Sequence, residues 1–143
     1  MFLTRKAEFS ASHVCRLPGL SDEENRQLFG PGSNPSGHGH NYVLEVTVEG
    51  TPDPVTGMVV DPKHLKDIIE EAVIEPMDHR FLNFEVSPFD KVVPTTENLA
   101  AEIWRRLDSR LTGLGASLAN VRLFETSDLF VDITREGSHP WSA

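Results

Sequence analysis

The sequence has a single cysteine, Cys15, and no apolar run that approaches the roughly 20 residues of a membrane span. One cysteine excludes a disulfide within the chain and is typical of proteins from a reducing compartment. The first nine residues also lack the apolar core of a secretion signal. We therefore expect a soluble, cytoplasmic protein that has no membrane partner.

Basic residues are scarce as well. The chain has 13 Lys and Arg against 22 Asp and Glu, for a formal net charge of -9. Because nucleic-acid binding uses an electropositive face, this balance argues against a nucleic-acid partner. An anionic substrate must then meet a local basic pocket. The 143 residues are 38% hydrophobic, which predicts one domain over residues 1–143 with a single packed core.

Alternating polarity predicts the strands. Apolar residues recur at every second position along 7–13 and again from His38 to Val48, as in strands with one buried face. Further strands are expected at 58–60, 120–126 and 129–135. A long turn-rich stretch, residues 30–37, separates the first two strands.

Capping residues and apolar stripes predict the helices. Ser21 and Glu24 form a capping-box pattern for a short helix over 21–29. Asp61-Pro62 begins a second helix, and Thr95 precedes a third whose leucine and isoleucine residues recur every four positions. The order of strands, helices and strands predicts an α+β fold, in which an antiparallel sheet carries the helices on one face.

Three of the six histidines occupy matching faces of two strands. His38 and His40 are two residues apart and therefore project to one side, while His13 lies on the apolar face of the first strand. Three imidazoles buried without a common partner would be costly, so the pattern favours one divalent ion over three unrelated histidines. Three histidines with an open position are typical of catalytic zinc, and one cysteine cannot build the usual closed structural site.

Two acidic residues stand out. Glu125 shares the apolar face of a late strand, where a carboxylate needs a partner. The partner is either an arginine, Arg122 or Arg135, or a ligand edge with two parallel N–H donors, as in a pterin or a guanine. Asp78 with His79 follows a helix, which by itself indicates capping and becomes acid/base machinery only beside the metal.

Seven segments together resemble the family of 6-pyruvoyl-tetrahydropterin and 6-carboxy-tetrahydropterin synthases. They span nearly the whole chain in the family's order and spacing. The segments are Phe9–His13, Leu20–Asn25, Asn34–Tyr42, Gly57-Met58, Pro76–His79, Thr95–Asn98 and Phe124–Thr126.

The resemblance implies a fold, an assembly and a site. The fold is the tunnelling fold, a four-stranded antiparallel sheet with two long helices on one face. Trimers of this unit form β-barrels that pair as homohexamers, with the active site between subunits. Zn2+ is implied on His13, His38 and His40. The implied proton relay is Asp78 with His79, and the implied pterin contacts are Glu125, Thr95 and Thr96.

The implied activity is that of a carbon-oxygen lyase of tetrahydrobiopterin biosynthesis. Its substrate, the small-molecule pterin 7,8-dihydroneopterin triphosphate, is converted to 6-pyruvoyl-tetrahydropterin with loss of triphosphate. Arg16 and Lys91 are candidates for holding the triphosphate. Three other readings stay open: a 6-carboxy-tetrahydropterin synthase, a pterin-binding homologue with altered catalysis, and a structural zinc protein with a fourth protein ligand.

The proton-abstracting cysteine of the family is missing from the loop before His38. Gly32 and Asn34 occupy the two positions where branches of the family carry it, and the loop has no glutamate. Cys15 would share the face of His13 if the first strand continued that far. A thiol near zinc and His79 would have a depressed pKa and could act as the base. The alternative is a small buried hydrophobe.

Overall fold

The computed structural model describes residues 1–136, so His139, to which the sequence assigns no site role, lies outside the described residues. One sheet holds five strands in the order β3-β1-β2-β4-β5. The long strands pair antiparallel, with His13 directly opposite His38. The strands are β1 Phe2–His13, β2 His38–Gly50, β3 Arg80–Phe81, β4 Ala116–Thr126 and β5 Leu129–Thr134.

The sheet corrects the expected four-stranded antiparallel arrangement. β3 adds a fifth strand, and it runs parallel to β1 beside Ala11 and Ser12, which makes the sheet mixed. The chain returns to this edge because the His79 N–H donates a hydrogen bond to the Ser10 carbonyl over 2.6 Å. A strand of two residues is too short to leave an alternating pattern. Over residues 1–136 the sheet of one chain stays open.

The helices after residue 61 pack on one face of the sheet, as predicted. Ser21 caps the first helix of the chain with a complete capping box, and Thr95 caps the longest through a bond from Asn98 N–H. The second continues through a π-helical turn, residues 70–74, into the third. The helices are α1 Asp22–Phe29, α2 Pro62–Ile69, α3 Glu75–Met77, α4 Leu82–Glu85 and α5 Thr96–Leu111. None of those in residues 1–136 has both the length and the hydropathy of a membrane-spanning segment.

The core lies between this helical layer and the apolar face of β1, β2 and β4. Leu44 and Val121 from the sheet are fully buried against Leu65, Leu99 and Ile103 from the helices. Burial of each such side chain contributes about 1.5–3 kcal/mol relative to exposure. This layer holds the strand ends that carry the histidines in fixed register.

The strand predicted at 58–60 was wrong. Val59 and Val60 are buried, but their backbone bends under the helical layer instead of joining the sheet. A turn closed by the hydrogen bond from Asp53 N–H to the Met58 carbonyl precedes them. A short apolar run signals burial alone and does not distinguish a strand from a bend.

Candidate active site

The three predicted histidines converge at one end of the β1–β2 pair. Nε2 of His13 lies 3.0 Å from Nε2 of His38, and the ring centroid of His40 lies 5.1 Å and 4.8 Å from theirs. A carboxylate oxygen of Glu125 joins them, and the four ligand atoms all lie within 4.8 Å of one another. Pairing of His13 with His38 and the two-residue spacing to His40 produce this cluster.

The tautomer of His13 is fixed from the helical layer. Its Nδ1 lies 2.7 Å from the carbonyl oxygen of Pro94, just before α5. A carbonyl can only accept a hydrogen bond, so Nδ1 carries the proton and Nε2 keeps its lone pair for the cluster. Bonds of this kind orient the imidazole ligands of metal sites.

The donor set fits a divalent metal. Zinc–nitrogen bonds of about 2.0–2.1 Å in a tetrahedral site place two nitrogens about 3.3 Å apart, close to the 3.0 Å between His13 and His38. Nε2 of His40 is buried and lacks an aligned hydrogen-bond partner, although Oε1 of Glu125 lies 2.9 Å away. Burial lowers the pKa of both His13 and His40, which favours the neutral imidazole that binds metals.

Glu125 has partners that differ from a simple arginine salt bridge. The hydroxyl of Thr96 donates a hydrogen bond to one carboxylate oxygen, and the other lies beside His40. Arg122 makes two hydrogen bonds to Asp132, and Arg135 bonds to Asp108. Glu125 therefore borders the histidine cluster, where it can act as a fourth ligand or hold a bound molecule.

The cluster opens into a pocket of about 460 Å³, which we call the histidine pocket. Its volume is in the range of small-molecule sites. The pocket brings together His13, His38, Glu125 and the predicted pair Thr95 and Thr96. It is also lined by Cys15, Phe29, Gly32, Glu97, Leu129 and Val131. The sequence interpretation gave Glu97 no role in the site. Its position next to Thr95 and Thr96 in the sequence could have indicated that it lines the same pocket.

Cys15 lies in the histidine pocket, although β1 ends at His13. The Cys15 N–H donates a 2.9 Å hydrogen bond to the Gly32 carbonyl, and this bond turns Sγ to 3.9 Å from Nδ1 of His13. Burial, followed by the charges of Glu125 and Glu97, raises the thiol pKa to about 11. The surrounding protein groups thus act against the depressed pKa that we expected.

Gly32 leaves open the space beside that thiol. A Cβ atom placed on Gly32 would lie 3.9 Å from Cβ of Cys15 and 3.7 Å from Cε1 of His38, both ordinary contact distances. A side chain at position 32 would therefore enter the histidine pocket next to Cys15.

Asp78 and His79 lie elsewhere in the chain. Asp78 accepts a 2.8 Å hydrogen bond from the Ser10 N–H, and its second oxygen lies 2.9 Å from Nδ1 of His79. The Ser10 bond and the His79 contact keep the pKa of Asp78 below its usual range. The His79 side chain is 82% exposed, and neither residue is among the described residues that line the histidine pocket. One chain does not bring this pair to the cluster.

Fold and site together define an α+β protein with a centre of three histidines and one carboxylate, able to hold a divalent metal beside a pocket for a small molecule. The family model described as 6-pyruvoyl tetrahydropterin synthase matches residues 2–136, and the chain belongs to this family.

Individual proteins show the same likeness. The chain is 49% identical over 129 residues to 6-pyruvoyl tetrahydrobiopterin synthase of Pongo abelii, covering 90% of this chain and 88% of that protein. It is 28% identical over 146 residues to a 6-carboxy-5,6,7,8-tetrahydropterin synthase of Rickettsia felis, covering 91% and 97%. The solved 6-pyruvoyl tetrahydropterin synthase of Caenorhabditis elegans superposes with a TM-score of 0.88 at 35% identity, covering 94% and 95%.

Proposed function

We propose that this protein is a zinc-dependent lyase that converts 7,8-dihydroneopterin triphosphate to 6-pyruvoyl-tetrahydropterin and releases triphosphate. The convergence of three imidazoles beside a pocket of about 460 Å³ carries the proposal. The direct test incubates the purified protein with this substrate, identifies the pterin product by mass and measures the released triphosphate. A product with a carboxyl group in place of the pyruvoyl group would contradict it.

His13, His38 and His40 hold the metal in this proposal. When bound, zinc supplies Lewis-acid polarisation of the substrate side-chain hydroxyls. The Pro94 carbonyl keeps His13 in the tautomer that presents Nε2. Phe29, Leu129 and Val131 give the pocket an apolar lining beside the metal ligands.

Glu125 binds the pterin ring in this proposal. The amino-pyrimidinone edge offers two parallel N–H donors to a carboxylate, in the manner of a guanidinium. The Thr96 hydroxyl donates to Oε2 and so orients the carboxylate within the pocket. The same carboxylate lies 2.9 Å from Nε2 of His40, so its role as anchor must be separated from that of a fourth metal ligand.

Replacement of Glu125 by glutamine separates the two roles. As an anchor, Glu125→Gln is expected to raise KM about 10- to 100-fold, because a charge-assisted pair is lost, while the zinc content stays at that of the wild type. Steady-state kinetics and metal analysis on the same preparation measure both. The control is Glu45→Gln, on β2 beside Lys6. Loss of zinc from Glu125→Gln would identify a fourth ligand and contradict the anchor role.

Asp78 and His79 act as the proton relay of a neighbouring copy in this proposal. The pair is held at the β3 edge by Ser10, whereas β5 at the opposite edge of the sheet carries Leu129 and Val131 of the histidine pocket. Pairing of these edges between copies would bring the exposed His79 ring to the pocket of the next copy. A closed ring of this kind gives the trimeric barrel, and two rings give the hexamer.

Mixing two inactive variants tests the shared site. His38→Ala and His79→Ala are each expected to have little activity, because each lacks one half of the site. After denaturation and reassembly of an equal mixture, about a quarter of the sites would combine an intact cluster with an intact His79. Recovery of that fraction of the wild-type rate is the expected result. Mixed oligomers that stay inactive would contradict a site built from two copies.

One alternative has an observation in its favour. The place of the family's loop cysteine is taken by Gly32, and the protein groups around Cys15 raise its thiol pKa. A pterin-binding homologue with altered catalysis would bind the substrate tightly without release of triphosphate. The carboxy-pterin alternative is less favoured, since identity to two relatives of that kind is 28% and 35%, against 49% for a pyruvoyl relative.

A further inference from the structure

The histidine pocket offers no Lys or Arg among its described lining residues. Its charged side chains other than the histidines are Glu97 and Glu125, both acidic. The chain as a whole also carries a formal charge of -9. A triphosphate group would be repelled here, and its departure as a leaving group would lack charge stabilisation. The substrate proposed above therefore needs a cationic subsite beyond this pocket.

A second cavity meets that need. It has a volume of about 480 Å³ and lies at the β3 edge of the sheet. Its polar lining includes Ser10, Ser12, Asn41, His79, Arg80 and one acidic residue, Glu85. We call it the Arg80 cavity. His40 is also among its lining residues.

Arg80 shares this cavity with one acidic side chain, Glu85. The Arg80 side chain is 51% exposed, and its contact with Glu85 is long, at 3.4 Å. Glu85 itself is held by the Phe81 N–H, which donates to its other oxygen over 2.6 Å. The guanidinium can therefore turn toward an anion without leaving Glu85 unpaired.

His79 and Asn41 also offer hydrogen-bond donors at this cavity. Nδ1 of His79 is directed to Asp78, which leaves Nε2 to face outward. The side-chain oxygen Oδ1 of Asn41 accepts a 2.6 Å hydrogen bond from the Ser10 hydroxyl. The side-chain nitrogen Nδ2 can then donate to another group. Guanidinium, imidazole and amide donors at one cavity are the groups that recognise phosphate oxygens.

We propose that the Arg80 cavity binds the triphosphate group of the substrate, with Arg80 as its principal cation. This inference rests on the proposed function and names the part of the site that holds the leaving group. His79 and Arg80 are consecutive residues, so a neighbouring copy that brings His79 to a histidine pocket brings Arg80 with it. The polyanion then lies between the relay of one copy and the metal ligands of another.

The other basic residues near the site are less suited. Arg16 is bound to the Ser33 carbonyl over 3.1 Å and to Asp22, and its cavity with Arg26 also contains the acids Asp22 and Glu23. Lys91 lines a third cavity together with Arg16 and Asp90. Neither of these cavities includes a described residue of the histidine cluster.

Inorganic tripolyphosphate is the probe for this inference. Calorimetric titration of the purified oligomer is expected to show that Arg80→Ala weakens tripolyphosphate binding at least about tenfold, because charge-assisted hydrogen bonds are lost. Arg80→Lys keeps the charge and should lose less affinity. Arg26→Ala, from the neighbouring basic cavity, is the matched control and should stay within twofold of the wild type. Arg80 is half exposed, and a thermal melt verifies that the variants fold.

Chelation must be separated from binding by the protein, because tripolyphosphate also binds zinc. The titrations are therefore repeated on metal-loaded and metal-depleted protein, and the loss caused by Arg80→Ala should be the same in both. With the pterin substrate, Arg80→Ala should also raise KM.

Unchanged tripolyphosphate affinity in Arg80→Ala, or an equal loss in Arg26→Ala, would overturn the inference even if the wild type turns over its substrate. Failure of the proposed function looks different. A wild type that binds tripolyphosphate through Arg80 but releases none from the pterin would refute the lyase activity and support the polyphosphate site.

Discussion

Replacement of His38 by alanine is expected to remove the bound zinc and to lower kcat/KM on the order of a thousandfold. Nε2 of His38 lies 3.0 Å from Nε2 of His13, so its loss removes one of the three imidazoles that are proposed to hold a single ion. A site with two histidines holds zinc far more weakly, and the Lewis acid is lost with the ion. Metal analysis and steady-state kinetics measure the two effects.

The matched control for this variant is His64→Ala. His64 lies exposed on α2 and outside the cluster, so zinc content and turnover should match those of the wild type. A His38→Ala protein that keeps one zinc per chain and its turnover would show that the three-histidine centre is wrong.

Loss of the Cys15 thiol is expected to have the second largest effect. If Cys15 is the base that the loop lacks, Cys15→Ala and Cys15→Ser should each lower kcat about a hundredfold, the usual contribution of general acid–base catalysis. KM should change little, because the thiol lies 3.9 Å from His13 and does not contact the pterin anchor Glu125 through any described hydrogen bond. The measurement is turnover of dihydroneopterin triphosphate.

Moving the thiol gives this test its sharpest form. Because a Cβ on Gly32 would lie 3.9 Å from Cβ of Cys15, the double variant Cys15→Ala with Gly32→Cys returns a thiol to nearly the same place. Its kcat should recover to within about tenfold of the wild type. Cys15→Ala with Gly32→Ala is the control, and it should stay slow. Full activity in Cys15→Ser would refute the role of the thiol outright.

The strand pattern correctly predicted that three histidines lie together. Alternation placed His13, His38 and His40 on one face, and pairing of the two strands brings these faces into contact. The capping residues Ser21 and Thr95 likewise marked real helix starts. These features depend on local periodicity and local hydrogen bonds, which a single sequence records directly.

The remaining features depend on contacts between residues that are not in one regular element. The two residues of β3 pair only because the chain folds back on Ser10, and no periodicity marks so short a strand. Cys15 reaches the histidine pocket through a loop hydrogen bond to Gly32, not through the strand continuation that we expected. His79 lines a different cavity from His13 and His38 because of the tertiary topology, which sequence order alone cannot show.

The hydrogen bond between His13 and the Pro94 carbonyl links the metal centre to the start of α5, the longest helix. This hydrogen bond fixes both the His13 ring and Pro94, the residue before the Thr95 cap. Binding of the proposed metal and docking of this helix on the sheet would then be thermodynamically coupled, so that each stabilises the other. Thr96, which donates a hydrogen bond to Glu125, lies at the same helix start, so occupancy of the proposed cation site would also stabilise the position of that carboxylate.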